Sequence, residues 1–235
     1  MFSGGLIASG EPFKDYAFTA GLCAVNTTLG AASGAISAMV LRWLLSPNNV
    51  VDITAVTNGA LSGLVAVTAG CAVILPWAAV VIGLIGGLVY IGASNLLLKL
   101  EIDDAVDAIP VHMANGISPV GFFASGTLLN RQYGQDEYIG WIYEWSRGSG
   151  QANLLATQLI GIIWIIGWIG GLMGLFFFVI DKLGLFRVDE LTEADGLDTS
   201  EHGDRAYSFA GPLDSSKSGR TSASKEGVTA GESAV

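Results

Sequence analysis

Five apolar stretches, each long enough to cross a bilayer as a helix, constrain this chain more than any other feature. Crossing about 30 Å of hydrocarbon takes about 20 helical residues at a rise of about 1.5 Å each. The stretches cover approximately residues 16–45, 54–74, 76–98, 105–128 and 153–181. Pro76 cannot continue a helix interior and indicates a tight turn between the second and third stretches. The sequence therefore predicts an all-α fold, a polytopic membrane helix bundle with about five transmembrane helices.

Charge is distributed unevenly along the chain. Of the formal net charge of −10, the segment 188–235 carries −6, from ten acidic and four basic residues. From about Asp189 the composition is too polar to bury a core, and past Gly211 we expect disorder. The basic residues are scattered singly, so no patch for nucleic acid is present.

The positions of the basic residues predict the orientation. Arg42, Lys99, and Lys182 with Arg187 follow the first, third and fifth stretches, which places them on one side of the membrane. Positive residues are retained in the cytoplasm, so this side is predicted to be cytoplasmic, together with the acidic tail.

Glycines recur at four-residue spacing within the apolar stretches. In lipid, small residues at this spacing let helix backbones approach closely, and such faces predict a tightly packed bundle without identifying a cargo. The pairs are Gly30/Gly34, Gly59/Gly63, Gly83/Gly87, Gly167/Gly171 and Gly170/Gly174.

His112 is an ionisable residue within the fourth apolar stretch, about eight residues after Asp104. Ionisable groups at membrane depth are costly and usually face a cavity, a partner or a transport path. A neutral imidazole can donate and accept, so it can pass protons on, but it could equally be satisfied by a neighbouring helix carbonyl. A lone histidine is not a metal site, and His202, in the polar tail, is not assumed to be a second ligand.

Acidic and polar residues surround this region. Asp103 and Asp104 stand where the fourth stretch begins, and we expect them to cap helix N–H groups rather than to bind a cation directly. Four further polar residues either bond back to their own helix or line a path: Thr57, Ser62, Thr68 and Asn115.

Motifs for enzymatic chemistry are absent from the sequence. There is no phosphate-binding glycine loop followed by Lys and Ser or Thr, no cysteine pair and no nucleophile elbow. Cys23 and Cys71 lie in apolar stretches and are expected to be reduced packing residues. The sequence predicts no enzyme and no cofactor.

Three segments resemble the ammonium transporter (Amt/Mep/Rh) family, in the order in which that family carries them. Residues 103–117 are similar to its second-histidine signature, residues 58–71 to its preceding span, and residues 196–207 to its cytoplasmic tail motif. The resemblance covers about residues 1–210. It implies an inverted-repeat fold of eleven spans in two halves, of which this chain would supply spans seven to eleven and a stub of six.

The resemblance also implies roles for individual residues. His112 is similar to the second pore histidine, Thr68 to a threonine near the external pore mouth, and Phe2 to the inner of two gating phenylalanines. Asp104 and Asp107 match acids at the base of the histidine helix, for which a capping role is expected. Ser3 and Leu6 depart from residues common in the family, which puts the external ammonium site in doubt.

The organisation implied is a membrane domain at 1–187, a cytoplasmic regulatory tail motif at 188–210 and a disordered tail at 211–235. Ser200 aligns with a position that is phosphorylated in some plant relatives, and added charge there could undock the tail. A homotrimer in the plasma membrane is expected for the full-length protein. The residues that carry the tail resemblance are Gly196, Asp198, Ser200, His202, Gly203 and Tyr207.

The implied function is transport of ammonium, with methylammonium as an analogue. Ammonium is deprotonated, ammonia crosses an apolar pore, and pore histidines relay the proton. The alternative is a non-conducting module that joins full-length transporter trimers and regulates them. A gas channel like those of the Rh branch is a third interpretation, which the tail motif and the Gly4-Gly5 stub favour less.

Overall fold

A computed structural model of the chain describes residues 16–47, 50–117, 120–134 and 137–188. These residues form helices and turns and contain no strand, which confirms the all-α prediction. The chain divides into two units, Met1–Gly170 and Gly171–Val235. The elements are α1 (Tyr16–Leu45), α2 (Ile53–Thr68), α3 (Pro76–Lys99), a π-helical turn (Ile109–Met113, here the π-turn), α4 (Val120–Phe123), α5 (Gly126–Tyr133), α6 (Trp141–Ser146) and α7 (Asn153–Lys182).

The packing of α1, α2 and α3 centres on their glycines. A Cβ built on Gly34 would lie 2.5 Å from the carbonyl oxygen of Gly59 and 2.9 Å from Cα of Gly63, so the backbones of α1 and α2 touch. The same two glycines of α1 also approach α3, where Gly30 meets Gly83 and Gly34 meets Gly87. The register shows that α3 runs parallel to α1 while α2 runs antiparallel to both. The C-terminal ends of α1 and α3, with Arg42 and Lys99, therefore lie on the same side.

The helix predicted over 54–74 is shorter than expected, because α2 ends at Thr68. Beyond it the chain turns, and the N–H groups of Val73 and Ile74 both donate to the carbonyl of Gly70, at 2.8 and 3.0 Å. The irregular residues still find partners within the protein. Buried Asn26 on α1 donates through Nδ2 to the carbonyls of Cys71 and Ile74, both at 2.8 Å.

The fourth predicted span, 105–128, is not one helix. It consists of the π-turn and then α4 and the start of α5, separated by non-helical residues. Pro110 has no N–H to donate, and within the π-turn the N–H of Ala114 reaches back five residues to the carbonyl of Ile109, at 3.0 Å. Proline and the wider turn interrupt the regular pattern that a spanning helix requires.

Three helices within the described residues are long and apolar enough to cross a membrane. They are α1, α3 and α7, while α2, with 16 residues, is shorter. A helix of that length extends about 24 Å, less than the hydrocarbon thickness. The length and apolar composition of α1, α3 and α7 are those of helices that can cross a membrane.

The long helix α7 differs from the other two. No residue of α7 is buried by the described part of the chain. Near its N-terminus, Gln158 accepts the N–H of Gly121 at 2.7 Å. Further along, the rings of Trp164 and Trp168 stack with centroids 6.2 Å apart.

Candidate functional site

His112 lies on the outward face of the π-turn. Pro110 and Val111 are buried, whereas His112 and the following Met113 are exposed. Val111 packs in a cluster with Ala55 of α2 and Tyr90 of α3, so one face of the turn is fixed against the helix bundle. The imidazole therefore points away from α1–α3, to a surface that the described residues leave open.

Asp104 stands before the π-turn and binds its first backbone groups. Its two carboxylate oxygens accept the N–H groups of Ala108 and Ile109, at 2.9 and 2.7 Å. These are groups that the start of a helical segment leaves without backbone partners. Asp103, by contrast, is exposed.

Asp107 connects the π-turn to two helices. Its Oδ2 accepts the hydroxyl of Tyr90 at 2.9 Å and the amide of Asn58 at 3.5 Å, and its Oδ1 accepts the hydroxyl of Ser94 at 3.0 Å. Asn58 also donates to the Tyr90 hydroxyl, at 3.3 Å. Asp107 has a φ of 57°, in the left-handed region. Its side chain thus lies within a polar cluster formed by α2 and α3.

A cavity of about 330 Å³ opens beside this cluster. Arg42 and Asp52 form an ion pair across it, with Nε and Oδ2 3.5 Å apart. Asp52 also caps α2, accepting the N–H groups of Thr54 and Ala55 at 2.9 and 3.3 Å. No group of metal-ligating side chains occurs among the described residues. The lining residues are Arg42, Asp52, Thr54, Ala55, Tyr90, Ile91, Ser94, Leu98 and Asp107.

The other polar candidates lie on α2 and after the π-turn. Thr57 and Thr68 both donate to carbonyls of their own helix, Thr68 to Leu64 at 2.5 Å. Asn115 is buried and donates to the carbonyl of Pro110 at 2.9 Å. Ser62 is fully buried, and its hydroxyl has no partner among the described residues.

Asp104, Asp107 and His112 follow one another in one segment, whereas Thr68 lies at the opposite end of α2 from the residue that binds Asp107. Thr68 ends α2, whereas Asn58, which binds Asp107, lies near its beginning. Ten helical residues correspond to about 15 Å along the axis. The remaining candidates, Phe2 and the tail residues Gly196, Asp198, Ser200, His202, Gly203 and Tyr207, lie outside the described residues.

Sequence reasoning missed Tyr90 and Ser94. Both lie on α3 four residues apart, so they share one helix face, and both bind Asp107. Two hydroxyl groups at this spacing in an otherwise apolar helix could have indicated that the helix face binds a polar partner. Their partner lies 13 to 17 residues away, however, beyond the helix end, and the spacing alone does not identify it.

Comparison with known proteins gives consistent results. A family model described as Ammonium Transporter Family matches residues 2–207. Ammonium transporter 1 member 1 of Arabidopsis thaliana is 36% identical over 197 residues, covering 80% of this chain and 37% of the relative. Ammonium transporter 3 of Dictyostelium discoideum is 40% identical over 191 residues, covering 79% and 42%. The chain therefore spans about two-fifths of the length of these relatives.

Solved structures show the same fold. The crystal structure of Candida albicans Mep2 matches with a TM-score of 0.65 and 22% identity, covering 74% of this chain and 37% of that chain. The structure of Saccharomyces cerevisiae Mep2 matches with a TM-score of 0.64 and 23% identity, covering 74% and 39%. Both likenesses extend over most of the present chain and less than half of the other.

Proposed function

The chain belongs to the ammonium transporter family, and from this premise we propose that it forms the C-terminal half of an ammonium transporter. Its relatives are named as transporters, so the chain belongs to a family of transporters and not of enzymes. Ammonium and ammonia are the proposed cargo, with methylammonium as the usable analogue. The proposal requires a complementary half, because the chain spans about two-fifths of the relatives' length.

The placement of His112 carries the proposal. The π-turn is buried on the side of Val111 and exposed on the side of His112, so the ring faces away from the chain's own core and is open to a partner. Substrate paths in inverted-repeat transporters lie between the two halves. On this proposal, the other half covers His112 and completes the pore beside it.

The proposed mechanism divides the cargo into a neutral molecule and a proton. Removing an ion from water costs far more than moving a neutral molecule of similar size. Ammonium is therefore deprotonated, ammonia crosses the apolar pore, and the proton passes along histidines. An imidazole in its neutral form can donate from one nitrogen while the other accepts.

Several further assignments belong to this proposal. Phe2 would gate the pore and Thr68 would line its outer mouth. Residues 1–187 would form the membrane domain, 188–210 the regulatory tail motif at the cytoplasmic face, and 211–235 a disordered tail. The full-length assembly would be a homotrimer in the plasma membrane.

One observation favours a second function, that of a regulatory module. A Cβ built on Gly167 or Gly170 of α7 would meet nothing within 4 Å among the described residues, and small residues on a membrane helix let a partner helix approach closely. On this alternative, the chain enters trimers of full-length transporters and alters their uptake without conducting by itself.

The test joins the chain to the N-terminal half of a relative in yeast that lacks ammonium uptake. We expect uptake of labelled methylammonium by the joined protein, and a loss of about tenfold or more in His112→Ala, because a proton relay contributes on the order of 10²-fold or more. Asn130→Ala, at an exposed position of α5, is the control and should transport normally.

The outcomes separate the two functions. Unchanged uptake in His112→Ala would remove the histidine from the mechanism. If the joined protein is inactive at the cell surface but co-expression of the chain alone changes uptake by a full-length relative, the regulatory module replaces the transporter half.

A further inference from the structure

We propose that Asp107 is a positioning residue that fixes the direction of the His112 ring by tying the π-turn to α2 and α3. This inference rests on the proposed role of His112 in the conduit and adds to it a residue that does not touch the cargo. The sequence led us to expect that Asp107 caps a helix. Its carboxylate instead accepts hydrogen bonds from side chains of α2 and α3.

The first support is the side-chain tie. A carboxylate offers two oxygens with about four lone-pair sites, and Asp107 receives three donors, from Asn58, Tyr90 and Ser94. The donors come from two different helices. Hydrogen bonds to an ionised acceptor are roughly twice as strong as neutral ones. Among the described residues, in contrast, Asp104 accepts from backbone groups of its own segment alone, so it shapes the turn without attaching it to the bundle.

The second support is the backbone at Asp107. Its φ of 57° is uncommon for a residue with a side chain, and such a conformation persists where its surroundings determine it. The carbonyl of the same residue accepts the N–H of Val111 at 3.0 Å. The side chain is therefore anchored to α2 and α3 while the main chain starts the turn that leads to His112.

The third support is that Tyr90 contacts both Asp107, before the π-turn, and Val111, within it. Its hydroxyl binds Asp107, and it packs in the same buried cluster as Val111. Val111 is 2% exposed and directly precedes His112, which is exposed. A change in the tie at Asp107 is thus transmitted over five residues to the outward direction of the imidazole.

The test observes the ring directly. The 235-residue chain is labelled at histidine, purified into lipid nanodiscs and studied by NMR. Replacing His202 by Asn leaves His112 as the one histidine of the sequence, so the ring signals belong to it. We expect Asp107→Asn to displace and broaden the His112 carbon signals, because the amide keeps the shape and tolerates a positive φ but turns one acceptor into a donor. Asp103→Asn, the same change at an exposed position, should leave them in place.

A second variant protects the test against misfolding. Tyr90→Phe combined with Ser94→Ala leaves Asp107 unchanged and removes two of its donors, so the ring signals should move again. Thr57→Val removes a hydroxyl that binds only its own helix and is the control. Undisturbed His112 signals in both Asp107→Asn and the double variant, with helix content preserved by circular dichroism, would overturn the proposal.

Transport separates this inference from the function on which it rests. In the joined two-half protein, Asp107→Asn should lower uptake per surface molecule about tenfold, the loss expected from one disrupted charged hydrogen bond, while Asp103→Asn transports normally. If the variants displace the His112 ring signals but the joined wild-type protein does not transport, the tie is supported and the transporter proposal is refuted. Uptake that needs His112 but is insensitive to Asp107→Asn, with unmoved ring signals, would refute the positioning role alone.

Discussion

The glycines of α1–α3 and those of α7 have the same spacing and opposite surroundings. In the first region, a Cβ on Gly63 would lie 2.8 Å from the carbonyl carbon of Gly30. Gly30 is in contact with both α2 and α3. In α7, a Cβ on Gly167 or Gly170 would meet nothing within 4 Å in the described part of the chain. Four-residue spacing therefore permits close approach but does not produce it.

What distinguishes the regions is the presence of matched faces. Gly30 meets Gly63 of α2 and Gly83 of α3, and Gly34 meets glycines of α2 and Gly87 of α3, so the three helices share two layers of backbone contact. Dispersion between closely packed backbones holds membrane helices together where the hydrophobic effect does not. The glycines of α7 offer the same surface without an opposing one among the described residues.

The largest effect that would test this comparison is expected from Gly63→Ala. The added methyl group would overlap the backbone of α1, which cannot rotate away as a side chain can. Overpacking lowers the free energy of unfolding by about 1–3 kcal/mol, and by more where two backbones must separate. Replacing a helical glycine by alanine raises it by about 1 kcal/mol, which offsets part of this loss. We expect a net destabilisation of about 2 kcal/mol or more, measured by thermal unfolding in detergent. Unfolding at the wild-type temperature would show that the contact is looser than described.

A smaller loss is expected from Asn26→Ala, which tests whether side-chain bonds contribute beside backbone contact. Asn26 is fully buried and supplies donors to two carbonyls after the end of α2. An unsatisfied buried acceptor costs about 1–3 kcal/mol, less where the membrane-embedded unfolded state finds partners, so we expect about 2 kcal/mol. The exposed Asn130→Ala is the control, and equal unfolding temperatures for the two variants would contradict the prediction.

The smallest effect, of opposite sign, is expected from Gly167→Ala. With open space around the site, the methyl group meets no obstacle and the gain in helix propensity remains, between about 0 and 1 kcal/mol of stabilisation. The same substitution thus destabilises α2 and slightly stabilises α7. Destabilisation of the isolated chain by Gly167→Ala would mean that α7 packs against something, and the contrast between the regions would fail.

The sequence predicted the parts of the fold that depend on local pattern. The apolar stretches located α1, α3 and α7 to within a few residues, and the glycine pairs of α1–α3 are confirmed as packing faces. For α7 the same inference stays a prediction. Two predictions were wrong: that the second helix extends to residue 74, and that residues 105–128 form one helix. Hydropathy stays high through both regions, but the helical hydrogen-bond pattern does not continue through them.

Within the candidate site, the sequence identified the segment and missed its attachment. His112 was identified as an ionisable residue within an apolar stretch, Asp104 by its place at the start of that stretch, and Asp107 by the family resemblance. Asp104 binds the N–H groups at the start of the π-turn. The bonds from Tyr90, Ser94 and Asn58 to Asp107 depend on how three segments meet. That arrangement results from the glycine register of the helices, which no local pattern encodes.

The early end of α2 has a consequence for biogenesis. Residues 69–75 carry carbonyl groups that lipid cannot satisfy, and two of them depend on Asn26 of α1. The carbonyls of Cys71 and Ile74 therefore gain these hydrogen bonds only when the α2–α3 hairpin packs against α1. Because ribosomes deliver α1 first, the order of synthesis provides the donor before its acceptors emerge.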